Sequence, residues 1–398
     1  MADAPRETWI TGIGIVSCLG EGPGVHWQRL NEPPPSPDTT AFAPYIVHRL
    51  APIEFDKQIP RKGDQRQMEG WQRIGTYAAG LALDSAGVKG NPELLARMDM
   101  IVAAAGGERD EAVDTAILSG LPDAPSRGRF MNERLMSDLR PTLFLAQLSN
   151  LLAGNISIVH GVAGSSRTFM GEDAAGVEAV RVALARIESG QSEIALVGGA
   201  YNGERKDLLL VHEFGGHALK APFAPVWERQ TRGGGLALGA LGAFLVLEAR
   251  SHAMGREAKP LARISRVVSD RCRRQEGETK ASLARLWDRL GEVTVGSRIG
   301  IISGATGAEP ATSEERAWLN TLSGAPVRAT GTYLGHGFEP QFPMNIAVAA
   351  LAVSHRRLFP PADSSGVEQP AGGILDQVVV TSVGHWRGEG MALVEQAR

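Results

Sequence analysis

The residues from Phe169 to Val180, FMGEDAAGVEAV, place a carboxylate where a chain often carries a reactive side chain. An apolar stretch leads into a polar turn, and the residues after Asp173 have the composition of a helix. Such a junction predicts a nucleophile at the helix start, where unpaired backbone N–H groups favour negative charge. A carboxylate attacks poorly, however. Asp173 is therefore interpreted either as a helix N-cap, with Glu172 as a turn residue, or as a group with a direct chemical role.

Other motifs suggest chemistry but lack the residue types or spacing that the chemistry needs. HEFGGH, from His212 to His217, has its histidines five residues apart, whereas a zinc-binding helix needs them four apart, so no metal site is expected. GIGIVSCLG is a poor dinucleotide-binding motif because its third glycine is misplaced. Cys18 is interpreted as a small buried side chain and Cys272 as a surface residue among arginines. No cofactor is expected.

The composition indicates a globular protein of a reducing compartment. The chain has 398 residues, 43% of them hydrophobic, and a formal net charge of -3, which excludes a strongly basic nucleic-acid-binding face. Two cysteines are too few for a disulfide framework. The first nine residues, MADAPRETW, lack the apolar core of a signal peptide, and no apolar run reaches the length of a membrane span. A cytoplasmic location is expected.

The apolar pattern predicts strands that alternate with helices along the whole chain, which is typical of an α/β fold. The second half repeats the order of elements in the first half, and the two halves meet near residue 250. The predicted strands lie at 9–17, 98–107, 193–200, 241–250, 260–270, 298–307, 377–384 and 391–396. The predicted helices lie at 21–33, 70–88, 139–154, 174–189, 280–293 and 343–357.

Several stretches, in their order along the chain, resemble the β-ketoacyl-acyl carrier protein synthases of the thiolase superfamily. They are WITGIGIVSCLGEGPGVHWQRL, IPRKGDQRQMEGWQRIGTYAAGLALDSAGV, NLLAGNISIVHGVAGSSRTFMGEDAAG, EIALVGGA and GTYLGHGFEPQFPMNIAVAAL. The resemblance spans nearly the whole chain. It implies a thiolase-like fold with five layers, αβαβα, built from two duplicated halves at residues 1–253 and 254–398.

The resemblance also implies which residues stand at the family's catalytic positions. In the family a cysteine holds the acyl chain, two histidines assist decarboxylation of malonyl-carrier, and a lysine supports the charges. The cysteine position falls on Asp173, the first histidine on Gly304, the lysine on Gly331 and the second histidine on His336. The family's phenylalanine gate loop reads SVGHWRGEG here. His336 is therefore either the one remaining catalytic group or a side chain that only packs and hydrogen-bonds locally.

These substitutions suggest a subunit that has lost condensing activity. The resemblance implies a chain-length-factor-like partner of an active β-ketoacyl synthase, as a heterodimer or a homodimer. It would act on fatty chains, including very long ones, or on polyketide chains, bound to acyl carrier protein. Two alternatives stay open: an active acyltransferase or condensing enzyme without a cysteine, and a homodimer that binds acyl-carrier or acyl-CoA. The expected pocket residues are Phe169, Met170, His385 and Trp386. The candidate carrier-docking residues are Arg61, Lys62 and Arg66.

Overall fold

The computed structural model describes residues 5–291, 293, 298–322 and 324–397. Strands and helices alternate through these residues, as the apolar pattern predicts. The strands are β1 (Thr8–Ser17), β2 (Gly20–Glu21), β3 (Val47–His48), β4 (Asp99–Ala104), β5 (Ser166–Phe169), β6 (Ile194–Tyr201), β7 (Leu238–Gly239), β8 (Leu241–Ala249), β9 (Ala262–Asp270), β10 (Ile299–Ser303), β11 (Val327–Ala329), β12 (Gln377–Val383) and β13 (Glu389–Glu395). The helices are α1 (Pro23–Leu30), α2 (Lys62–Gln67), α3 (Gly70–Ser85), α4 (Pro92–Arg97), α5 (Glu111–Gly120), α6 (Arg127–Asp138), α7 (Leu143–Ala146), α8 (Leu151–His160), α9 (Asp173–Glu188), α10 (Lys206–Phe214), α11 (Arg250–Gly255), α12 (Glu278–Leu290), α13 (Ala311–Leu319), α14 (Gly331–Leu334) and α15 (Gln341–Ser354).

The main sheet consists of two five-stranded halves with the same pairing pattern. One half has the order β5-β4-β6-β8-β1, and the other has the order β11-β10-β12-β13-β9. In each half the first three strands are parallel, and the fourth and fifth pair antiparallel. A short pairing of β1 with β9 joins the halves. The expected internal repeat is therefore visible in the sheet, whereas the boundary at residues 253 and 254 stays a prediction.

Two helices form the central layer between the sheet halves. Helices α9 and α15 contact each other and strands of both halves. Residues 341–353 of α15 are all buried, which explains why this helix is apolar on every side. Helix α3 covers the outer face of the first half, and α12 covers the outer face of the second half together with α13. The layers are therefore helix, sheet, helix, sheet and helix.

Glycines in β1 allow α3 to pack directly against the strand. A Cβ atom at Gly14 would overlap the carbonyl oxygen of Ala78 and the backbone nitrogen of Ala82, and a Cβ at Gly12 would lie 2.7 Å from the Cβ of Ala86. Alanines occupy the facing positions of α3, so that the two backbones approach closely. This contact fixes the first strand, and through it the junction between the sheet halves.

Two sequence-based expectations about local structure are wrong. The helix expected to stop near Gly154 is α8, which continues to His160 and ends at Gly161 in the left-handed conformation. No helix was predicted around HEFGGH, but its first residues belong to α10. The predicted helix at 280–293 ends at Leu290, and residue 292 lies outside the described residues. No helix among the described residues is long and apolar enough to cross a bilayer.

We expect Gly14→Ala to lower the free energy of unfolding by about 2 kcal/mol, since the added methyl group meets backbone atoms that cannot move aside. Urea unfolding followed by circular dichroism would measure the change. Gly24→Ala is the matched control, because no atom lies within 4 Å of its added Cβ. Equal stability of Gly14→Ala and wild type would contradict the close packing of β1 on α3.

Candidate functional site

The start of α9 carries Asp173 into the interior. Strand β5 ends at Phe169, and a short turn through Gly171 and Glu172 leads into the helix. Glu172 has φ 58° and ψ -135°, a backbone conformation that is strained for a residue with a side chain. Asp173 is the first helical residue and is only 2% exposed. The N-cap interpretation is therefore wrong, because Glu172 occupies the N-cap position.

Asp173 forms a buried pair with His336. The imidazole Nε2 lies 2.9 Å from the carboxylate Oδ1, and each side chain is 2% exposed. The distance is that of an ion pair, although the ring N–H is not aligned for a hydrogen bond. His336 thus contacts Asp173, the residue that the resemblance aligns with the family's cysteine, and its catalytic role stays a prediction.

The environment keeps the Asp173 carboxylate charged. Burial alone would raise its pKa, but the neighbouring His336 outweighs that effect, with His385 also contributing, and the pKa lies below its ordinary value. The first turn of α9 favours negative charge at the same place, because its backbone N–H groups have no partner within the helix.

The backbone around His336 is held by a neighbouring segment. The His336 N–H donates to the carbonyl of Ala237 at 2.8 Å, and its own carbonyl accepts from the N–H of Gly239 at 2.9 Å. Gly176 lets the next segment approach α9, since a Cβ at that position would overlap the carbonyl oxygen of Glu339. The loop between α14 and α15 is thus fixed against α9, which brings His336 to Asp173.

Three further histidines surround this pair. His212 comes from α10, His217 from the residues that follow α10, and His385 from the loop between β12 and β13. The His385 ring lies 4.8 Å from the His217 ring and 5.5 Å from the His212 ring, measured between centroids. We call His212, His217, His336 and His385 the histidine cluster.

Phe338 holds the histidine cluster together. Its ring centroid lies 4.5 Å from that of His336, 5.0 Å from that of His212 and 5.6 Å from that of His385. Trp386 covers the outer side, 4.3 Å from the His385 ring, and is 38% exposed. The aromatic packing therefore leaves the imidazoles in an apolar environment with one partly open side.

Burial keeps two of these histidines neutral near pH 7. It lowers the pKa of His385 to about 3, although the Asp173 carboxylate opposes the shift. It lowers the pKa of His212 to about 4, with a further contribution from His336. Neutral imidazoles retain one N–H donor and one acceptor nitrogen each.

Several buried polar atoms at this place have no hydrogen-bond partner among the described residues. They are Oδ2 of Asp173, Nδ1 of His212 and both ring nitrogens of His385. Leaving such atoms unpaired costs roughly 1 to 3 kcal/mol each. Of these atoms, Oδ2 of Asp173 lies next to Gly384, where an added Cβ would be 3.2 Å from it. The cluster is therefore a polar centre enclosed by aromatic side chains.

Close packing surrounds Gly304 and Gly331, the two glycines that the resemblance aligns with a histidine and a lysine. A Cβ at Gly304 would lie 2.6 Å from the carbonyl oxygen of Thr381, so a larger residue does not fit on this backbone without a shift. A Cβ at Gly331 would lie 3.0 Å from the carbonyl oxygen of Ala305. The equivalence of these glycines to the family's catalytic positions stays a prediction.

Two glutamates, the half-buried Glu172 and the buried Glu339, lie beside the Asp173 carboxylate. Burial and the charge of Asp173 raise the pKa of Glu172 to about 7. Burial, mainly, raises the pKa of Glu339 to about 8. The Glu172 backbone N–H donates to Oε1 of Glu339 at 3.2 Å. Three carboxyl groups therefore crowd the start of α9, and Asp173 is the one whose charge is favoured.

A cavity of about 470 Å³ opens next to the start of α9. Of the four expected pocket residues, Phe169 and Met170 line this cavity and His385 and Trp386 do not, and a role for any of them in holding an acyl chain stays a prediction. The remaining lining residues are Gly171, Ala174, Ala175, Val177, Glu178, Ser269, Asp270, Arg271, Arg387, Gly388 and Glu389. The cavity thus reaches the chain neighbours of Asp173 and of the His385–Trp386 pair, but not those side chains themselves.

Neither cysteine supplies a reactive thiol. Burial raises the pKa of Cys18 to about 12, and its Sγ contacts the carbonyl oxygen of Tyr333 at 3.1 Å. Burial, together with the charge of Glu389, raises the pKa of Cys272. Among the described residues, no group of three or more His, Cys, Asp or Glu side chains is arranged to hold a metal ion.

The candidate carrier-docking residues lie on the surface, at α2. Arg61, Lys62 and Arg66 are exposed, and Lys62 pairs with Asp56 at 2.6 Å. None of the three lines the cavity beside Asp173. Their role in docking stays a prediction.

A family model for the N-terminal domain of β-ketoacyl synthases matches residues 6–213, more than half of the chain. The chain belongs to the β-ketoacyl synthase family. A 3-oxoacyl-[acyl-carrier-protein] synthase 2 of Vibrio cholerae serotype O1 is 23% identical over 274 residues, which cover 65% of this chain and 62% of that protein. The chain thus spans less than two thirds of the length of this relative.

Solved structures show the same fold. A structure described as the ishigamide ketosynthase/chain length factor has a TM-score of 0.79 and 19% identity, with coverage of 99% of this chain and 100% of that chain. A type II polyketide synthase acyl-carrier protein in complex with its ketosynthase has a TM-score of 0.71 and 17% identity, with coverage of 98% and 99%. The expected thiolase-like α/β fold of this β-ketoacyl synthase family member is therefore confirmed.

Sequence reasoning missed part of the site. His212 and His217 were considered only as metal ligands, and Phe338 and Glu339 were not considered at all. HEFGGH was a usable signal, because two histidines near the end of an apolar helix are unusual on a solvated surface. Asp173 and His336 are 163 positions apart in the sequence, so their contact could not be predicted from any local sequence pattern.

We expect Asp173→Asn to lower the free energy of unfolding at pH 7 by about 3 kcal/mol, because breaking a buried ion pair leaves one group uncompensated. The pKa of Asp173 is lowered by folding, so its contribution is present above the unfolded pKa and is lost as pH falls through the folded pKa. Urea unfolding of Asp173→Asn, His336→Gln and the double variant would test the pairing. Strictly additive losses would show that the two side chains are not coupled.

A second expectation concerns Glu339, whose folded pKa of about 8 exceeds its ordinary value. As pH rises from 5 to 8, the Glu339 carboxyl loses its proton in the unfolded chain before it does so in the folded chain. The free energy of unfolding of the wild type therefore falls relative to that of Glu339→Gln. The difference in the free energy of unfolding between the two proteins should change by on the order of 3 kcal/mol over this pH range, at about 1.4 kcal/mol per pKa unit. Unfolding curves across this pH range would measure it. The exposed Glu93→Gln control should follow the wild-type curve, and the same behaviour of Glu339→Gln would contradict the prediction.

Proposed function

We propose that this chain is a non-condensing member of the β-ketoacyl synthase family that pairs with an active synthase, in the manner of a chain-length factor. The observation that carries the proposal is the buried Asp173–His336 pair at the start of α9. The resemblance puts the acyl-accepting cysteine at this place, and the chain has an aspartate there instead of a thiol.

Condensation requires a group that accepts the acyl chain from a thioester and then releases it to a carbanion. A thiolate exchanges thioesters with little change in free energy, whereas an aspartate would have to form an anhydride, which is uphill. The negative charge of Asp173 also repels the carboxylate of a malonyl group. The packing at Gly304, which the resemblance aligns with the family's first histidine, leaves no room for a larger residue on this backbone. These features all oppose independent elongation.

An exposed apolar face supports the pairing. Strand β5 lies at one end of the strand order, and among the described residues it pairs only with β4. We use the name β5 face for β5 together with the exposed apolar side chains of residues 118–170. These side chains are Leu118, Met131, Leu135, Met136, Phe144, Leu145, Leu148, Ile158 and Met170. A free strand edge with many exposed apolar side chains favours association with a second protein.

The partner proposed for the β5 face is a second β-ketoacyl synthase chain. The ishigamide ketosynthase/chain length factor has the same fold over 99% of this chain, which supports a partner of this kind. The substrate class proposed is an acyl chain, fatty or polyketide, on acyl carrier protein, as in the neighbour whose ketosynthase is bound to its carrier. Arg61, Lys62 and Arg66 are proposed to attract the acidic carrier from the cytoplasm.

The pairing test compares variants on two exposed surfaces. Ile158 is 70% exposed on α8, which packs beside β5. Ile158→Glu should weaken the complex with an active β-ketoacyl synthase at least tenfold, because a charge would be buried in an apolar interface. Met254→Glu is the matched control, since Met254 is 58% exposed on α11, outside the β5 face. Analytical ultracentrifugation would measure both affinities.

Elongation assays with malonyl-carrier complete this test. The chain alone should give no elongation, whereas its complex with the synthase should elongate acyl-carrier. If the chain alone elongates acyl-carrier and Asp173→Ala abolishes the reaction, the proposed function is wrong. Equal binding by Ile158→Glu and Met254→Glu would remove the β5 face from the proposal.

A further inference from the structure

We propose that Asp173, His336 and His385 form an acid–base site that hydrolyses acyl thioesters, with water as the nucleophile. The proposal rests on the proposed function for its substrate class, since the carrier presents acyl chains as thioesters of a pantetheine thiol. It goes beyond that function because it assigns a reaction to a chain that does not condense.

The first observation is that the site still has two histidines beside residue 173. His336 faces the carboxylate directly, with Nε2 2.9 Å from Oδ1. His385 comes from another part of the chain, next to Gly384, which itself approaches Oδ2 of Asp173. If this site had only lost its catalytic groups, a second buried imidazole, with its free-energy cost, would not be expected here.

The second observation is the set of unpaired polar atoms. His385 is 2% exposed, and neither of its ring nitrogens has a partner among the described residues. Oδ2 of Asp173, in a side chain that is also 2% exposed, has none either. Burying an imidazole in this way has a free-energy cost unless a bound group supplies the missing hydrogen bonds. A thioester carbonyl and a water molecule supply an acceptor and a donor of the required kinds.

The third observation is a route for the acyl chain. The cavity of about 470 Å³ has an apolar side formed by Phe169, Ala175 and Val177, and Arg387 and Gly388 lie on its wall. These last two residues directly follow the His385–Trp386 pair. A displacement of residues 385–388 would therefore connect the cavity with the histidine cluster. Trp386 is 38% exposed, which makes it the most exposed of the aromatic side chains that pack around His385.

The reaction assigns one role to each of the three side chains. The reaction starts from the neutral form of His336, with Nε2 carrying the proton that faces Asp173. Water transfers a proton to Nδ1 of His336, the ring nitrogen that does not face Asp173, while its oxygen bonds to the thioester carbonyl carbon. The neutral His385 donates an N–H to the carbonyl oxygen as negative charge develops there. The C–S bond then breaks, and His336 returns the proton to the sulfur, which leaves a free acid and a free thiol.

Asp173 is a positioning residue in this scheme. Its carboxylate lies against His336 and stabilises the imidazolium that forms when water is deprotonated. It does not attack the thioester, because the anhydride that would result lies uphill. The backbone N–H groups at the start of α9 add to the stabilisation of the oxyanion.

The experiment measures thiol release from octanoyl-pantetheine by the purified full chain, alone and in its complex with the synthase. We expect release at least tenfold above the buffer rate. His336→Gln and His385→Phe should each lose at least tenfold, and His385→Phe keeps an aromatic ring of similar size. His355→Gln is the matched control, since His355 stacks on Trp27 at 4.4 Å, at the end of α15, and should retain the wild-type rate.

The role of Asp173 has its own readout. Asp173→Asn should lower the rate and move the acid limb of the pH–rate profile to lower pH, because the carboxylate no longer stabilises the imidazolium. A purely structural role would lower the rate without moving that limb, and this outcome would overturn the assignment. Thermal unfolding of every variant identifies those that fail to fold, and His385→Phe carries the test if Asp173→Asn is among them.

Release at the buffer rate by folded protein, or equal rates for wild type, His336→Gln and His385→Phe, would overturn the hydrolysis proposal. Either result would leave the pairing proposal intact, because pairing is measured by complex formation and does not depend on thiol release. Failure of the complex to form, with hydrolysis intact, would overturn only the pairing.

Discussion

The buried contact between Asp173 and His336 is the interaction on which the other features of this site depend. It holds one charged group in the interior at the start of the central helix α9, where backbone N–H groups and an imidazole together offset the loss of water. The same charge influences its neighbours. It helps raise the pKa of Glu172, and it limits the extent to which burial lowers the pKa of His385. The ionisation of the whole cluster is therefore organised around one carboxylate.

That contact is possible because the fold brings two distant loops to one place. Helices α9 and α15 lie side by side between the sheet halves, and both begin near the same point of the central layer. Asp173 starts the first helix, and His336 lies in the loop that leads into the second. The repeated strand pattern of the two halves places these helix starts in equivalent surroundings. The duplicated architecture thus creates the site, and the residue types decide what it can do.

Much of the fold was predictable from sequence, since its central elements have strong apolar patterns. Strand β1 and helix α15 are buried along nearly their whole length, so their residue types leave little choice of structure. Helix α8 was harder, because Gly154 breaks the pattern without breaking the helix. A Cβ added at Gly154 would lie 3.6 Å from Leu151, an ordinary contact, so no close packing requires a glycine there. The helix continues through Gly154 with only the low helix propensity of glycine as a cost, about 1 kcal/mol. Within the site, Asp173 and His336 were identified by resemblance, but His212 was not, because its burial depends on Phe338, 126 residues further along the chain.

The packing at Gly304 has a consequence for substitutions at this position. Thr381 is buried, and its hydroxyl oxygen accepts the Gly304 N–H at 3.1 Å while its backbone oxygen occupies the space a larger residue would need. A larger side chain at 304 does not fit through one amino-acid exchange on this backbone, because strand β12 would have to shift as well. Position 304 is therefore coupled to strand β12, and substitutions there are tolerated only together with changes in its neighbours.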